Sequence, residues 1–357
     1  MKFALWSSYT LEHWNWHTPD ISGIGGSESA HIFTAQELAK RGHEVTSYIP
    51  FNGNEVVTAD GVRWLNSQKA QVLPADNFWL VYRDPSFFNQ DLPPGKYAFV
   101  AQDTLYTWTP EQLAKVDYYL CLCRKHCGVT AAKHPELKGR IIRWSNGIRR
   151  ELIEKIEKEN ITRNPKKLVF ASSPDRGLLL ILRDWFRVRE QVPDAELHVF
   201  YGMNNAEEII RRGGGEHLKP LLGELKSLLN QPGVNFRGRI SQPELIREWF
   251  SSGVFWSPTN WPETSMITIM EAQACGVVPV VNNWWAKGEN CLNGVLVDGI
   301  PETDDMCRFS MLYEVLDLLK HPEKQETYRS ALMEDARDTF CWGKWTKQIE
   351  ELACAKA

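Results

Sequence analysis

Trp256-Ser-Pro-Thr-Asn-Trp-Pro-Glu-Thr-Ser-Met-Ile-Thr-Ile-Met-Glu-Ala-Gln-Ala-Cys-Gly276 is the stretch from which the fold follows. Val254-Phe-Trp256 reads as the end of a buried strand, and Pro258 to Pro262 as a loop. Thr264 or Ser265 is the expected N-cap of a helix running to about Cys275 and stopped by Gly276. That helix is apolar on nearly every side, which is the pattern of a buried helix. Two carboxylates nevertheless go in with it, Glu263 just before the first turn and Glu271 nearly two turns in. A buried carboxylate is costly unless something satisfies it. In one reading Glu263 complements the helix dipole and Glu271 meets a core Arg or Lys. In the other, both face a cleft, where Glu271 accepts hydrogen bonds from sugar hydroxyls and the amides of Ser265, Met266 and Ile267 hold a phosphate. Ligands of open α/β sheets bind at the carboxyl ends of strands, and this loop-to-helix setting after a strand fits that rule.

The chain has 357 residues, enough for two domains of ordinary size, and is 43% hydrophobic and 24% charged. Such a composition builds cores and excludes wholesale disorder. A formal net charge of −4 gives no electrostatic footprint for wrapping nucleic acid. The apolar run at Met1-Lys-Phe-Ala-Leu-Trp6 is too short for a signal peptide, and no stretch approaches the roughly 20 apolar residues that span a bilayer. Eight cysteines without regular spacing suggest reduced thiols and a cytoplasmic protein. Cys121, Cys123 and Cys127 form a C-x-C-x3-C cluster, but no second cluster completes the four ligands of a structural zinc site.

The start of the chain reads as strand (Lys2 to Trp6), long aromatic loop, Gly23-Ile-Gly-Gly-Ser-Glu-Ser29, helix (about Ser27 to Lys40) and strand (His43 to Tyr48). This is the βαβ unit of a Rossmann-like domain. The glycines do not fit the dinucleotide fingerprint, because Glu28 falls where its last glycine belongs. Gly25-Gly26 instead offers bare backbone at a helix N-terminus, or simply a tight turn. Further strands are expected at 77–82, 97–101, 117–121 and 140–143, and Gln102-Asp103 follows the second of these. The run Arg149 to Lys167 is strongly charged and reads as a solvated helix plus linker, with a domain boundary near 163. Leu168-Val-Phe-Ala171 opens a second α/β series, in which Ser172-Ser-Pro-Asp-Arg-Gly177 is the loop before a helix. Arg176 there has the bidentate fork that suits a diphosphate, or a neighbour in Asp175. Strands ending at Tyr201 and near Arg239-Ile240, and at Val281 and Val297, complete the series.

Glu263 and Glu271 with seven residues between them, set in Pro-Thr-x-x-x-Pro-Glu-Thr and Glu-Ala-x-Ala-x-Gly-Val-x-Pro-Val-Val, resemble the E-x7-E signature of retaining GT-B glycosyltransferases of family four. Gly-Gly-Ser-Glu followed by Leu-Ala-x-Arg-Gly-His-Glu-Val is similar to the amino-terminal donor loop of the same family. The resemblance covers most of the chain and is thin between Asn52 and Asp76 and between Met203 and Gln231. It implies an α/β protein of two Rossmann-like domains with parallel sheets facing a central cleft. Residues 1–163, with the last helix (336–357) returning to them, would form the acceptor side, and 164–335 the nucleotide-sugar side. It further implies transfer of a sugar, with retention, from a nucleotide-sugar donor to a glycan, a lipid-linked sugar or another hydroxyl acceptor, without a metal or other cofactor. The absence of an Asp-x-Asp pair agrees with a leaving diphosphate stabilised by cations and helix dipoles.

By that resemblance Glu263 contacts the donor sugar and Glu271 the ribose hydroxyls. Thr264, Ser265 and Met266 hold the phosphates with Arg176, and Gly25, Gly26 and Ser27 close over the donor. Ser173, Tyr201, Arg239 and Ile240 complete the nucleotide site. Two positions depart from the family pattern. Gln102-Asp103 stands where His-Asp is usual, leaving Asp103 as the titratable candidate there, or as a strand-end Asp capping a turn. Ala171 falls where an upstream Arg is usual. These departures keep open a protein that binds a nucleotide sugar with little or no transfer. An epimerase on the same fold is a further alternative, whereas a phosphorylase's pyridoxal-phosphate lysine has no supporting motif. The acceptor is expected to lie along the aromatic loop Trp6 to His17.

Overall fold

The computed structural model describes residues 1–8, 12–51, 56–57, 60–70, 73–75, 77–216 and 218–355. The chain divides into two compact units, one of Met1–Thr18, Ile24–Gly147 and Phe340–Ala357, the other of Pro19–Gly23 and Ile148–Thr339. The sequence reading set its boundaries at 163 and 336. The amphipathic helix Arg150–Glu157 explains the first offset, since it buries Ile153 and Ile156 and so adds core where a solvated helix and linker were expected.

The first unit is built on strands β1 (Lys2–Trp6), β2 (Glu44–Ile49), β3 (Val56–Val57), β4 (Val62–Asn66), β5 (Asn77–Tyr82), β6 (Gly95–Ala101), β7 (Tyr118–Cys121) and β8 (Ile141–Arg143). Their order is β3-β4-β2-β1-β5-β6-β7-β8, and every pairing except β3 with β4 is parallel. Helices on both faces require strands that are apolar at every position, and β5 is buried throughout. Alternation along the strands sends Phe3, Leu5, Leu80 and Tyr82 to one core, and Ala4, Trp6, Trp79 and Val81 to the other. The aromatic loop is largely absorbed here. Trp14 is 2% exposed, and Trp16 stacks on Trp64 with ring centroids 5.4 Å apart. Trp14 is therefore core material, Trp16 is half-buried against that core, and Tyr9, Thr10 and Leu11 lie outside the described residues. The last helix, Trp342–Cys354, packs in this unit: the indole of Trp144 donates to the Trp345 carbonyl at 3.0 Å, and Arg41 pairs with Glu350.

The second unit carries β9 (Lys167–Phe170), β10 (Glu196–Phe200), β11 (Val234–Gly238), β12 (Val254–Ser257), β13 (Val278–Asn282) and β14 (Val295–Val297), in the order β11-β10-β9-β12-β13-β14, all parallel. One core gathers Leu168, Phe170, Val254, Trp256, Val278 and Val280 under helices Leu178–Gln191 and Asp305–Lys320. In both sheets the strand order reverses once, between β1 and β5 in the first and between β9 and β12 in the second. That reversal opens a crevice beyond the strands' carboxyl ends, the place where such sheets bind ligands.

Gly147 closes the first unit's central segment against the returning helix. A Cβ there would lie 2.8 Å from the Phe340 carbonyl oxygen and 2.8 Å from the Trp342 ring. Gly147→Ala is therefore expected to destabilise by about 1–3 kcal/mol through overpacking, read as an earlier midpoint in chemical denaturation with far-UV dichroism unchanged before the transition.

Candidate functional site

The reversal between β9 and β12 places two loops side by side, Ala171 to Gly177 after β9 and Pro258 to Met266 after β12. Gly177, at φ +94°, brings them into contact: a Cβ on it would sit 2.1 Å from the Pro258 carbonyl oxygen. Glycine is required there both by the left-handed backbone and by that approach. Arg176 immediately precedes it. Its guanidinium carbon lies 3.2 Å from the centroid of the Trp261 ring, a cation–π contact between the two loops. The Asp175 carboxylate stands 3.5 Å from Arg176 Nε, while Nη1 is buried without a hydrogen-bond partner. A guanidinium stacked on one face and short of a partner at one end retains capacity for an anion.

The loop after β12 is held by side chains that the sequence reading did not single out. Asn282 Oδ1 accepts from the Thr259 amide at 3.2 Å and from the Lys287 ammonium at 2.5 Å. Lys287 also donates to the Thr259 carbonyl at 2.5 Å. Lys287 is wholly buried, and burial pulls its pKa down to about 8 against the opposing pull of Glu263 and Glu302. It thus sets a cation beside Glu263, whose own carbonyl accepts from the Ala286 amide at 3.0 Å. The available signal was a lone lysine in Asn282-Asn-Trp-Trp-Ala-Lys287, directly after a strand too apolar to be anything but buried.

The helix after Glu263 spans Ile267–Ala274 with Met266 as N-cap and no side-chain cap bond. The capping role expected of Thr264 or Ser265 is not filled by either. The Met266 amide donates to Asn290 Oδ1 at 2.8 Å, so it is turned toward the protein, contrary to its expected place among the phosphate-holding amides. A β-strand-like backbone at Met266 puts the helix start two residues late, and Asn290 supplies the acceptor that a capping side chain would have provided. Ser265 Oγ is buried and has no hydrogen-bond partner, and Thr264 is 7% exposed.

Glu271 is 3% exposed. One carboxylate oxygen accepts from Gln242 Nε2 at 2.6 Å, and burial pushes its pKa up to about 7, with Gln242 and Arg149 pulling the other way. No lysine or arginine side chain forms an ion pair with it among the described residues, so the purely structural pairing of Glu271 with a core base is not what the chain builds. Gln242, read from sequence only as the start of a helix, is its hydrogen-bonding neighbour. Tyr201 (φ +90°) ends β10, and the guanidinium of Arg239, just past β11, lies 4.8 Å from its ring centroid. The Ile240 carbonyl is covered by Gly23, whose Cβ position would be 2.2 Å from it. Ser173 serves this loop through its carbonyl, which accepts from the Arg176 amide at 2.9 Å.

The first unit's reversal, between β1 and β5, gathers a separate polar cluster. Gly25 is the N-cap of helix Gly26–Lys40, in extended backbone and with no side-chain cap, and Ser27 lies in the first turn. From that turn Glu28 reaches Arg83 Nη1 at 3.5 Å, and Arg83 holds Asp103 with 2.8 Å contacts. Arg83 adopts φ +60°, a strained backbone for a side chain of this size. Asp103 is therefore an ion-paired carboxylate rather than a free strand-end cap. Gln102 forms a mutual amide pair with Asn146, at 3.1 and 3.3 Å. Its amide is thus engaged at both ends within the protein. In the cysteine cluster, the Cys121 thiol donates to Thr130 Oγ1 and Cys123 caps helix Arg124–Lys133.

Glu271 ties the site to pH. Its raised pKa makes the protonated form the one that favours the fold, so this stability is fully present below the ordinary carboxylate pKa and is lost as pH rises through about 7. Glu271→Gln cannot ionise. It is expected to melt close to wild type at pH 5 and above it at pH 8, by on the order of 2–3 kcal/mol, as calorimetry at the two pH values will read.

No family model matches the chain, and no curated protein matches it. Solved structures do. A sucrose-phosphate synthase from Thermosynechococcus elongatus superposes with a TM-score of 0.70 at 13% identity, covering 98% of both chains. A trehalose-6-phosphate synthase, from a study of glycosyl transfer with retention, gives 0.67 at 12% identity over 99% of this chain and 98% of that one. HepE of Anabaena, in complex with UDP and glucose, gives 0.65 at 14% identity over 99% of both. The two parallel-sheet units thus share the fold of GT-B glycosyltransferases.

Proposed function

We propose that the protein is a retaining glycosyltransferase of family four that moves a sugar from a nucleotide-sugar donor to a hydroxyl acceptor without a metal. The observation that carries this reading is the pair of abutting loops in the second unit: a stacked arginine with a spare donor on one, a carboxylate beside a buried ammonium on the other. A nucleoside diphosphate sugar needs both. Arg176 receives negative charge as the diphosphate leaves, with the backbone around Thr264 and Ser265 as further donors. Glu263 orients the sugar hydroxyls, and Glu271 the ribose. The Lys287 ammonium lies near Glu263 and adds positive charge to its surroundings. With no side chain among the described residues set up as a covalent nucleophile, retention proceeds by front-face attack, and the leaving phosphate takes the acceptor's proton. Gly25, Gly26 and Ser27 are further donor contacts in this reading, as are Ser173, Tyr201, Arg239 and Ile240. Neighbours bound to UDP with glucose and to ADP with acarbose support a nucleotide-sugar donor and a carbohydrate acceptor. Eight free cysteines fit a reducing, cytoplasmic setting. Among the described residues no helix is long and apolar enough to cross a membrane.

A second reading has one observation in its favour. Gln102, with its amide tied to Asn146, brings neither charge nor a proton to the first unit's strand ends, which suits a protein that holds a nucleotide sugar without turning it over.

A panel of nucleotide sugars separates the two. Wild type is expected to hydrolyse one donor slowly, with and without EDTA. Glu263→Ala should lower that rate by about 10²–10³-fold, and Arg176→Ala by a similar factor. Tight binding without release of free sugar supports the binding protein, and absence of any donor binding removes both readings.

A further inference from the structure

Asp20, Arg149, Gln242 and Glu271 come from four distant parts of the sequence and form one hydrogen-bonded line inside the second unit. Gln242 Nε2 donates to Glu271 Oε1 at 2.6 Å. Arg149 Nη1 donates to Gln242 Oε1 at 3.1 Å and to Asp20 Oδ1 at 2.5 Å, with Nη2 3.4 Å from Asp20 Oδ2. Asp20 belongs to Pro19–Gly23, a short segment that follows β1 in sequence yet is part of the second unit. That segment is seated at its far end as well. Gly23, at φ +70°, lies so close to the Ile240 carbonyl that a Cβ would stand 2.2 Å from the oxygen and 3.4 Å from Arg239 Cγ.

The order of the line has a chemical consequence. A glutamine amide has nearly the same shape either way round, but its two ends have opposite hydrogen-bonding character. A cation at Oε1 fixes which end faces Glu271, because only the NH₂ remains to face it. Arg149 therefore dictates the donor that Glu271 receives, and Asp20 holds Arg149 in place. The Trp249 indole also favours the ionised carboxylate, and a carboxylate's roughly four acceptor sites exceed these two donors, so acceptor capacity remains for a ligand. We propose that Asp20, Arg149 and Gln242 are positioning residues for Glu271, and that Pro19–Gly23 is thereby a built part of a site that grips the ribose diol of a nucleoside diphosphate. The inference rests on the donor reading above and adds to it the means by which the carboxylate is aimed.

The charged and titratable groups around Glu271 are few. Arg149 acts on it from the Gln242 side. On the side of its own helix stand the Cys275 thiol and, beyond that, Arg329, Arg337 and Glu157. Removing the Gln242 amide takes away a bond to the ionised form, so the carboxyl then titrates at higher pH.

The test compares ribonucleoside diphosphates with their 2′-deoxy analogues by calorimetric titration, using whichever of UDP, GDP, ADP or CDP wild type binds best. Wild type is expected to favour the ribose form by about tenfold or more, the worth of a hydrogen bond to a charged group. In Asp20→Asn, whose side chain is 40% exposed and so tolerates the change, and in Gln242→Ala, that preference should fall to about threefold or less while deoxy binding is retained. Gln242→Ala should also move the pH midpoint of ribonucleotide binding upward from about 7. A lesion that merely loosens the unit weakens both nucleotides alike and leaves their ratio unchanged. A wild-type preference that survives in both variants overturns this inference and leaves the donor reading standing; failure of wild type to bind any of the four nucleotides overturns both.

Discussion

The approach of Gly177 to the Pro258 carbonyl is the constraint on which the second unit's chemistry depends. Two strands that are neighbours in the sheet but lie on opposite sides of its reversal send their loops the same way. Only a residue without a side chain, with φ on the positive side, lets those loops meet. Once they meet, Arg176 lies over Trp261 and the backbone between Pro258 and Glu263 has nowhere to move. The loop's amides and carbonyls are then satisfied by Asn282, Lys287 and Glu302.

Burial of a lysine in this setting has a physical logic. Lys287 sits beneath the loop, and its lowered pKa records the cost of removing an ammonium from water. A neutral amide would fill the same hydrogen bonds to Thr259 and Asn282. What the ammonium adds is charge, and the carboxylate that feels it most is Glu263. In the first unit the balance differs. Arg83 is divided between Glu28 and Asp103 on a strained backbone, so its cluster is closed on itself, and Gln102 is closed on Asn146. The exposed Asp103 carboxylate is the part of that cluster still open to solvent.

Much of the fold was legible because parallel sheets covered on both faces leave a simple record: short, wholly buried and mostly apolar strands such as Asn77 to Tyr82 and Val278 to Asn282, each followed by a loop and a helix. Segments between Met203 and Gln231 were not, although helices Asn204–Arg211 and Leu218–Leu228 are there. The first buries no residue fully and the second only Leu222 and Leu225, so they add little core for an apolar pattern to mark. The carboxylates and Arg176 were legible because charges in apolar surroundings stand out. Gln242, Asn282 and Asn290 were not, since a neutral amide carries no sign in sequence of whether it meets water or a carboxylate. The aromatic loop shows the opposite case: Trp14 sits in a polar stretch yet is buried in the core beneath it, with Trp16 half-buried against Trp64.

The two carboxylates of the central stretch end up in different electrostatic states, and this divides their roles more sharply than spacing does. Glu263 is partly exposed and lies near the Lys287 ammonium. Glu271 is enclosed, with an amide rather than a cation in direct contact, and is pushed to the threshold of protonation. A group poised there is sensitive to what lies one bond further out, and Arg149 is that group. A direct arginine would have locked Glu271 into a salt bridge with no remaining acceptor. An amide between them passes on part of the cation's influence and gives the carboxylate a fixed orientation. The sequence pattern puts a glutamate eight positions after another; the glutamine between glutamate and arginine is what orients the second of them.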